Sequence, residues 1–452
     1  MDKVVASPAE AISDLTDGAS VAISGFGPSA GAPVSLLAAL RERGSTNLCL
    51  VANTIGAGGN ALIENNQVAR LIVSFTSRAG ASSPAEEKMA TGEIQFELVP
   101  QGTLVERLRA AGAGLAAIYT PTGVNTRIAE NKEVRLFDGK PFLLEPAIHV
   151  DYAFITARRA DRSGNLEFRG SNKHFGPSFA KAARISIAEV DEIVEPGEIP
   201  PERIGLPGIC VSRVVQATVP NQLPTFATNR RPSDAPRQYN GKPGWTRLQM
   251  GEQAAALLPE HSYVNLGLGI PTLVSNFLGG RDIVLHGENG ILGYGEILQG
   301  EAILPDVFNA GGQPVAAPPG VAYFDSVEAF EMARSGRVQV VALGAYQVDQ
   351  EGSVANWTTP GVLGGGIGGA MDLVAGGGTI MILLEHRDSQ DRAKLVRRCT
   401  YPLTGKGCVD YVITDLGVFE RVDGRFNLKA VAPGFDVGEV LALTEWDPAA
   451  MA

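Results

Sequence analysis

Ser20-Val21-Ala22-Ile23-Ser24-Gly25-Phe26-Gly27 and, in the second half of the chain, Tyr263-Val264-Asn265-Leu266-Gly267-Leu268-Gly269 follow one plan. Each is a short apolar run closed by glycines, and each leads through a proline into a helical stretch and another strand. A run with no polar alternation reads as a strand buried on both faces, which places it in a sheet covered by helices. Similar runs recur at Leu48-Cys49-Leu50-Val51, Tyr152-Ala153-Phe154-Ile155, Val338-Gln339-Val340-Val341 and Thr379-Ile380-Met381-Ile382-Leu383-Leu384. Helix-like segments lie between them, among them Val34 to Arg41 and Glu328 to Ala333. The fold class is α/β, with parallel or mixed sheets.

A second pair of landmarks follows in the same order. Ala160-Asp161-Arg162-Ser163-Gly164-Asn165-Leu166 resembles Val348-Asp349-Gln350-Glu351-Gly352-Ser353-Val354. Two matched landmarks suggest a duplication, giving two similar α/β domains with a ligand site at their junction. Pro220, Pro224, Pro232, Pro236 and Pro243 mark the break between them. The expected division is a first domain over 1–216, a proline-rich linker over 217–243 crossing the outside of the molecule, and a second domain over 244–452.

A chain of 452 residues exceeds one ordinary core, and 44% hydrophobic with 19% charged residues is a globular composition. A net charge of -11 argues against a nucleic-acid surface, which needs basic patches, but leaves room for a local anion site. No apolar run approaches the roughly 20 residues of a membrane span. The first ten residues show neither signal-peptide nor transit character. Cys49, Cys210, Cys399 and Cys408 are too few and scattered for a disulfide framework, and read as small buried hydrophobes. A reducing cytoplasm is the expected compartment.

Several chemistries lack their residues. Gly25-Phe26-Gly27-Pro28-Ser29-Ala30 fits a dinucleotide pattern, but Pro28 sits awkwardly in a phosphate turn. The next strand runs into Asn53-Thr54 rather than an acidic residue, so close strand–helix packing is the preferred use of these glycines. His149, His174, His261, His286 and His386 have no metal-ligand spacing, although His286 stands close enough to Glu288 to line its site. There is no Gly-x-Ser-x-Gly elbow and no Walker A loop.

The informative segment is Ile283-Val284-Leu285-His286-Gly287-Glu288-Asn289-Gly290-Ile291-Leu292-Gly293-Tyr294-Gly295. A strand ends and a carboxylate follows before a glycine-dense turn, at the end of the strand where α/β proteins bind ligands. Such a Glu either does chemistry or is satisfied by turn amides. Gly364-Gly365-Gly366-Ile367-Gly368-Gly369 offers freed backbone amides for an anion, or a flexible lid.

Taken together, these segments resemble the class I coenzyme A transferases, closest to the 3-oxoacid type with fused subunits. The motifs are Glu288-Asn289-Gly290, Ala355-Asn356-Trp357, Gly368-Gly369-Ala370-Met371-Asp372-Leu373 and Pro402-Leu403-Thr404-Gly405, with Pro100-Gln101-Gly102-Thr103 and Tyr119-Thr120-Pro121-Thr122-Gly123 in the first half. The likeness runs from about Ala22 to Thr444 in family order. It implies α-subunit-like and β-subunit-like halves, with Glu288 as nucleophile and the Gln101 amide and Gly369 N–H as an oxyanion hole. Asn265, Asn356, Gly368 and Asn289 are implied to lie against the substrate. Gly287 departs from the pattern, standing where relatives commonly carry Ser. The resemblance further implies acyl-CoA and short carboxylic acids as partners, a homodimer, and no metal or cofactor, since coenzyme A is itself a substrate. Transfer would be ping-pong from an acyl-CoA such as succinyl-CoA to a 3-oxoacid such as acetoacetate, through a γ-glutamyl-CoA thioester. A 3-oxoadipate or acetate transferase, a thioesterase on the same scaffold, or a non-catalytic acyl-CoA sensor are the alternatives.

Overall fold

The computed structural model describes residues 1–27, 31–76, 83–219, 235–300, 303–304 and 306–447. Two large sheets organise it. The first is eight-stranded and built on β1 (Ser20–Ile23), β2 (Leu48–Thr54), β3 (Val68–Phe75), β4 (Gln95–Leu98), β5 (Val150–Asp161), β6 (Ala183–Val194) and β7 (Arg213–Gln216), in the spatial order β7-β6-β5-β1-β2-β3-β4. All neighbours in that order are parallel.

The second is nine-stranded and mixed. Its strands are β8 (Ser262–Leu266), β9 (Ile283–Gly287), β10 (Ile291–Leu292), β11 (Ala322–Tyr323), β12 (Val340–Gly344), β13 (Thr379–Leu383), β14 (Tyr411–Ile413), β15 (Gly417–Val422) and β16 (Arg425–Val431), ordered β11-β10-β9-β8-β12-β13-β14-β15-β16. The five central strands are parallel, and antiparallel strands close both edges.

The opening landmarks thus become β1 and β8, each in the interior of its sheet. Side chains alternate across a strand, so each sheet needs apolar cover on both faces. In β1, Val21 and Ile23 enter one core and Ala22 the other. In β12, Val341 and Leu343 enter one core while Val340 and Ala342 enter the other. The expected run at Val338–Val341 begins its strand two residues later, at Val340. Helices α1 (Val34–Arg43), α2 (Gln101–Gly112), α3 (Ser326–Arg334) and α4 (Ala370–Ala375) matter below.

The second pair of landmarks consists of matching turns. Asp161 Oδ1 accepts the N–H groups of Ser163 and Asn165, and Gly164 donates to the Asp161 carbonyl. Asp349 Oδ1 does the same for Glu351 and Ser353, with Gly352 donating to the Asp349 carbonyl. Gly164 and Gly352 have φ of +87° and +81°, which is why glycine recurs there.

One expectation changes. Gly25 and Gly27 have φ of +141° and +66°, and a Cβ on Gly27 would meet nothing within 4 Å. Gly27 serves a left-handed turn, not close packing, while Pro28 to Ala30 lie outside the described residues. Most of the proline-rich segment, 220–234, also lies outside them. Its described residues are exposed or half-buried except Tyr239, which is buried and whose hydroxyl donates to Asp415 at 2.8 Å.

The sheets meet along a polar and aromatic seam. Ser171 N–H donates to the Asp306 carbonyl at 2.7 Å, and the Ser171 hydroxyl donates to the Phe308 carbonyl at 3.0 Å. Phe308 and Phe330, from the second half of the chain, are buried in a core otherwise built from the first. Phe308→Ala should therefore lower the unfolding free energy by about 3–5 kcal/mol. A urea midpoint that does not move would show that this ring does not join the halves.

Candidate active site

Glu288 occupies the turn between β9 and β10, where Gly290 N–H donates to the Gly287 carbonyl at 2.9 Å. Gly290 has φ +97°, and a Cβ there would lie 2.1 Å from the Phe324 carbonyl oxygen. Only glycine closes this turn, and closing it fixes where the Glu288 side chain leaves the backbone.

The neighbouring parallel strand supplies the partner. Asn265 in β8 is opposite His286 in register, and its Nδ2 donates to Glu288 Oε2 at 3.0 Å. That nitrogen also lies 3.2 Å from the His286 carbonyl and 3.2 Å from His286 Nδ1. His286 Nε2 is 3.2 Å from the Ala329 carbonyl, which can only accept. The network therefore assigns the proton to Nε2 and the lone pair to Nδ1. Burial pushes the His286 pKa down to about 4, so the ring is neutral.

Glu288 itself is half-buried. Burial raises its pKa, and the hydrogen bonds from Asn265 and from its own backbone N–H pull the other way. The Tyr294 hydroxyl is held above its usual range by burial first and by the Glu288 charge second. This carboxylate is short of solvent but oriented, the condition in which a weak nucleophile gains reactivity.

A second group forms around α2. Gln101, its first residue, is buried, and its backbone N–H donates to the Gly368 carbonyl at 2.9 Å. Its Nε2 donates to Asn53 Oδ1 at 2.8 Å, and its Oε1 is buried without a partner. A Cβ on Gly369 would lie 3.0 Å from Gln101 Oε1 and 3.1 Å from the Phe330 ring. The side-chain amide of Gln101 and the backbone of Gly369 are therefore neighbours. Helix α3 is common to both groups, because it carries Ala329 against His286 and Phe330 against Gly369.

The glycine run before Gly369 is not a free lid. Gly365 N–H donates to Thr76 Oγ1 at 2.8 Å, and Thr76 N–H returns a bond to the Gly365 carbonyl at 3.0 Å. A Cβ on Gly364 would lie 2.0 Å from Thr76 Oγ1, and one on Gly368 would lie 2.8 Å from the Phe75 ring. These glycines let the segment press against the end of β3.

Other expected residues have their polar atoms engaged elsewhere. Asn356 donates to the Gly344 carbonyl at 3.2 Å and accepts from the Thr404 hydroxyl at 2.6 Å, which ties two loops together. Asn289 is fully buried, with Nδ2 donating to the Phe308 carbonyl at 2.7 Å, so it links the Glu288 turn to the seam. Asn53 was not singled out as a site residue. Its signal was its position at the end of β2, where the strand runs into Asn-Thr. Among the described residues no group of three or more His, Cys, Asp or Glu side chains is placed to hold a metal ion, and no helix is long and apolar enough to cross a membrane.

This arrangement can be set beside known proteins. The family model described as Coenzyme A transferase matches residues 5–217 and 248–443. The chain is 39% identical over 467 residues to the mitochondrial succinyl-CoA:3-ketoacid coenzyme A transferase 2A of Rattus norvegicus, covering 98% of this chain and 88% of that protein. It is 44% identical over 218 residues to one of the subunits of the 3-oxoadipate CoA-transferase of Acinetobacter baylyi, covering 48% of this chain and 95% of that relative. The acyl-CoA transferase apoenzyme of Escherichia coli O157:H7 shares the fold, with a TM-score of 0.80 at 21% identity over 99% of this chain and 93% of that one. The chain belongs to the coenzyme A transferase family and is an enzyme of that class. The cytoplasmic expectation is overturned: full-length relatives from rat, mouse and human are mitochondrial proteins. Composition does not separate one soluble compartment from another, and the compartment of this chain is not determined.

The raised pKa of Glu288 has a consequence for stability. The folded state holds its proton more tightly than the unfolded state does, so the stabilisation tied to this group is complete below the unfolded carboxylate pKa. It is lost as pH rises through the folded value. Glu288→Gln should raise the melting temperature at pH 7, and the gain should shrink as pH falls into the ordinary carboxylate range. Thermal unfolding of both proteins across that range measures it, and an equal difference at every pH would show that the charge of Glu288 carries no cost.

Proposed function

We propose that this enzyme transfers coenzyme A from an acyl-CoA to a 3-oxoacid, with Glu288 as the covalent nucleophile. The observation that carries the reading is the Glu288 carboxylate, partly desolvated and held by Asn265 at the end of a parallel strand. The names of the rat and Acinetobacter relatives support 3-oxoacids as the acceptor class. The rat protein matches along nearly the whole chain, which favours succinyl-CoA with a 3-oxoacid such as acetoacetate as the pair. On this reading the first half of the chain is α-subunit-like and carries Gln101, and the second is β-subunit-like and carries Glu288. Two fused chains form a homodimer.

The chemistry follows from the groups present. A carboxylate oxygen of Glu288 attacks the thioester carbonyl, the C–S bond breaks, and CoA leaves as thiolate from an acyl-glutamyl anhydride. The thiolate then attacks the glutamyl side-chain carbonyl. The first acid departs as carboxylate, carrying one Glu288 oxygen, and a γ-glutamyl-CoA thioester remains. A second acid attacks that carbonyl and displaces CoA thiolate. The thiolate attacks the new acyl carbon, which restores Glu288 and releases the new acyl-CoA. Thioester energy passes from one acid to the other, so no ATP, metal or cofactor is required.

Every step passes through a tetrahedral oxyanion. The Gln101 amide and the Gly369 N–H are its donors in this reading, and losing one such donor typically costs roughly a hundredfold to a thousandfold in rate. The donor role needs an N–H of Gln101 turned into the site. An Asn53–Gln101 pair with both amides flipped keeps their mutual hydrogen bond and presents Nε2 where the unpaired Oε1 stands.

Intact mass spectrometry after mixing with succinyl-CoA or acetoacetyl-CoA tests the proposal. A CoA adduct should form, map to Glu288 and be discharged by a second acid. Glu288→Ala should form none and lose roughly 10⁴-fold or more in turnover. An adduct discharged by water as fast as by acid would identify a thioesterase instead.

A further inference from the structure

Pro100 precedes α2 and offers no side chain to cap it. The first N–H groups of a helix need partners, and buried ones need them most. The Gly102 N–H finds its partner far along the chain, donating to Asp372 Oδ2 at 2.9 Å. Asp372 lies in α4, the helix that begins beside Gly369, and it is fully buried. Its other oxygen accepts the Thr122 hydroxyl at 3.0 Å. Arg334 from α3 stands 3.6 Å away and is also paired with Glu106 of α2.

The fit around this carboxylate is tight. A Cβ on Gly102 would lie 2.4 Å from Asp372 Oδ1 and 2.8 Å from Arg334 Nη1. Burial pushes the Asp372 pKa up to about 6, Arg334 and the bonds from Gly102 and Thr122 lower it, and the Glu106 charge raises it. An ionised Asp372 sits at the positive N-terminus of α2, where helix dipole and guanidinium both favour it. Three family motifs converge here: Pro100-Gln101-Gly102-Thr103, Tyr119-Thr120-Pro121-Thr122-Gly123 and Gly368-Gly369-Ala370-Met371-Asp372-Leu373.

We infer that Asp372 is a positioning residue, which caps α2 from α4 and thereby holds the Gln101 amide and the Gly369 N–H at one fixed separation. This rests on the reading of those two groups as oxyanion donors. Gln101 is the first residue of α2 and is bonded through its own N–H to Gly368, so it is clamped on both sides by the segment that carries Gly369. Without the Asp372 bond, one of the two ties between the helix starts is gone. The donors can then drift apart while acyl-CoA still binds, so the loss falls on the chemical step and not on binding.

The test measures the rate of CoA adduct formation by rapid-quench mass spectrometry, normalised to the final adduct amplitude so that unfolded protein does not count. Asp372→Ala should slow adduct formation and kcat roughly tenfold to hundredfold, with the acyl-CoA KM changed less than about threefold. Asp372→Asn should recover most of the rate, because its amide oxygen can accept from Gly102 while its nitrogen donates to Thr122. Combining Asp372→Ala with Gln101→Ala should cost less than the product of the single losses. If Asp372→Ala does not fold, Thr122→Val removes one bond to the carboxylate and should slow the step roughly threefold to tenfold at unchanged KM. Wild-type rates per active site in these variants, Asp372→Asn as slow as Asp372→Ala, or full multiplication in the double variant would each overturn the inference alone. A wild-type enzyme that forms no adduct overturns the transferase reading and this inference with it.

Discussion

The hydrogen bond from Asn265 to Glu288 sets the terms for the rest of the molecule. A carboxylate drawn part-way out of water seeks either a proton or a partner, and a full ion pair would neutralise its charge. A neutral amide is the intermediate solution: it orients one oxygen and leaves the charge uncompensated. Holding that amide requires two adjacent parallel strands in register, since Asn265 sits beside His286. It also requires His286 to be neutral, with its lone pair towards the amide and its proton on the Ala329 carbonyl. The central strands, their two-sided apolar cover and the start of α3 are thus all committed to one contact.

The second commitment lies at the seam between the sheets. Gln101 belongs to the first half of the chain and Gly369 to the second, yet a single Cβ would bring them into contact. Close approach of backbones from separate layers is costly where polar groups go unpaired. Here the N–H and carbonyl groups of Thr76 and Gly365, Gln101 and Gly368, Ser171 and Asp306 pair across the seam. Phe308 and Phe330 add apolar burial beside them. Arg334, Asp372 and Glu106 then place buried charge in the same region, where each charge has a partner of the opposite sign.

Much of this was legible in the sequence because its signals were local. Strand runs apolar on both faces became central strands, and glycines after an Asp became left-handed turns in both halves. Glu288 stood out because a strand end and a glycine turn lie next to it in sequence. What the sequence did not disclose depends on distant contacts. Asn53 acquires its place by meeting Gln101, and Asp372 acquires its own by reaching the N–H of Gly102. The spacing at Gly25 and Gly27 suits close packing, yet a Cβ on Gly27 would meet nothing, because spacing alone does not distinguish a close approach from a positive φ. The run from Gly364 to Gly369 allows both freed amide donors and a lid in the sequence, and its bonds to Thr76, far along the chain, argue against the lid.

Gly287 shows how closely the Glu288 turn and the seam are joined. A Cβ at this position would lie 2.6 Å from Asn289 Oδ1 and 2.9 Å from Ile291 Cγ2. A serine there does not fit unless both the Asn289 amide and the Ile291 side chain move aside. Asn289 is not free to turn at no cost, because its Nδ2 holds the Phe308 carbonyl, which also accepts the Ser171 hydroxyl. Its Oδ1 is buried without a partner, the atom a serine hydroxyl would satisfy if there were room. Gly287 and the placement of Asn289 are therefore one choice. Glycine at 287 keeps the turn that carries Glu288 pressed against the seam that brings Gln101 and Gly369 together.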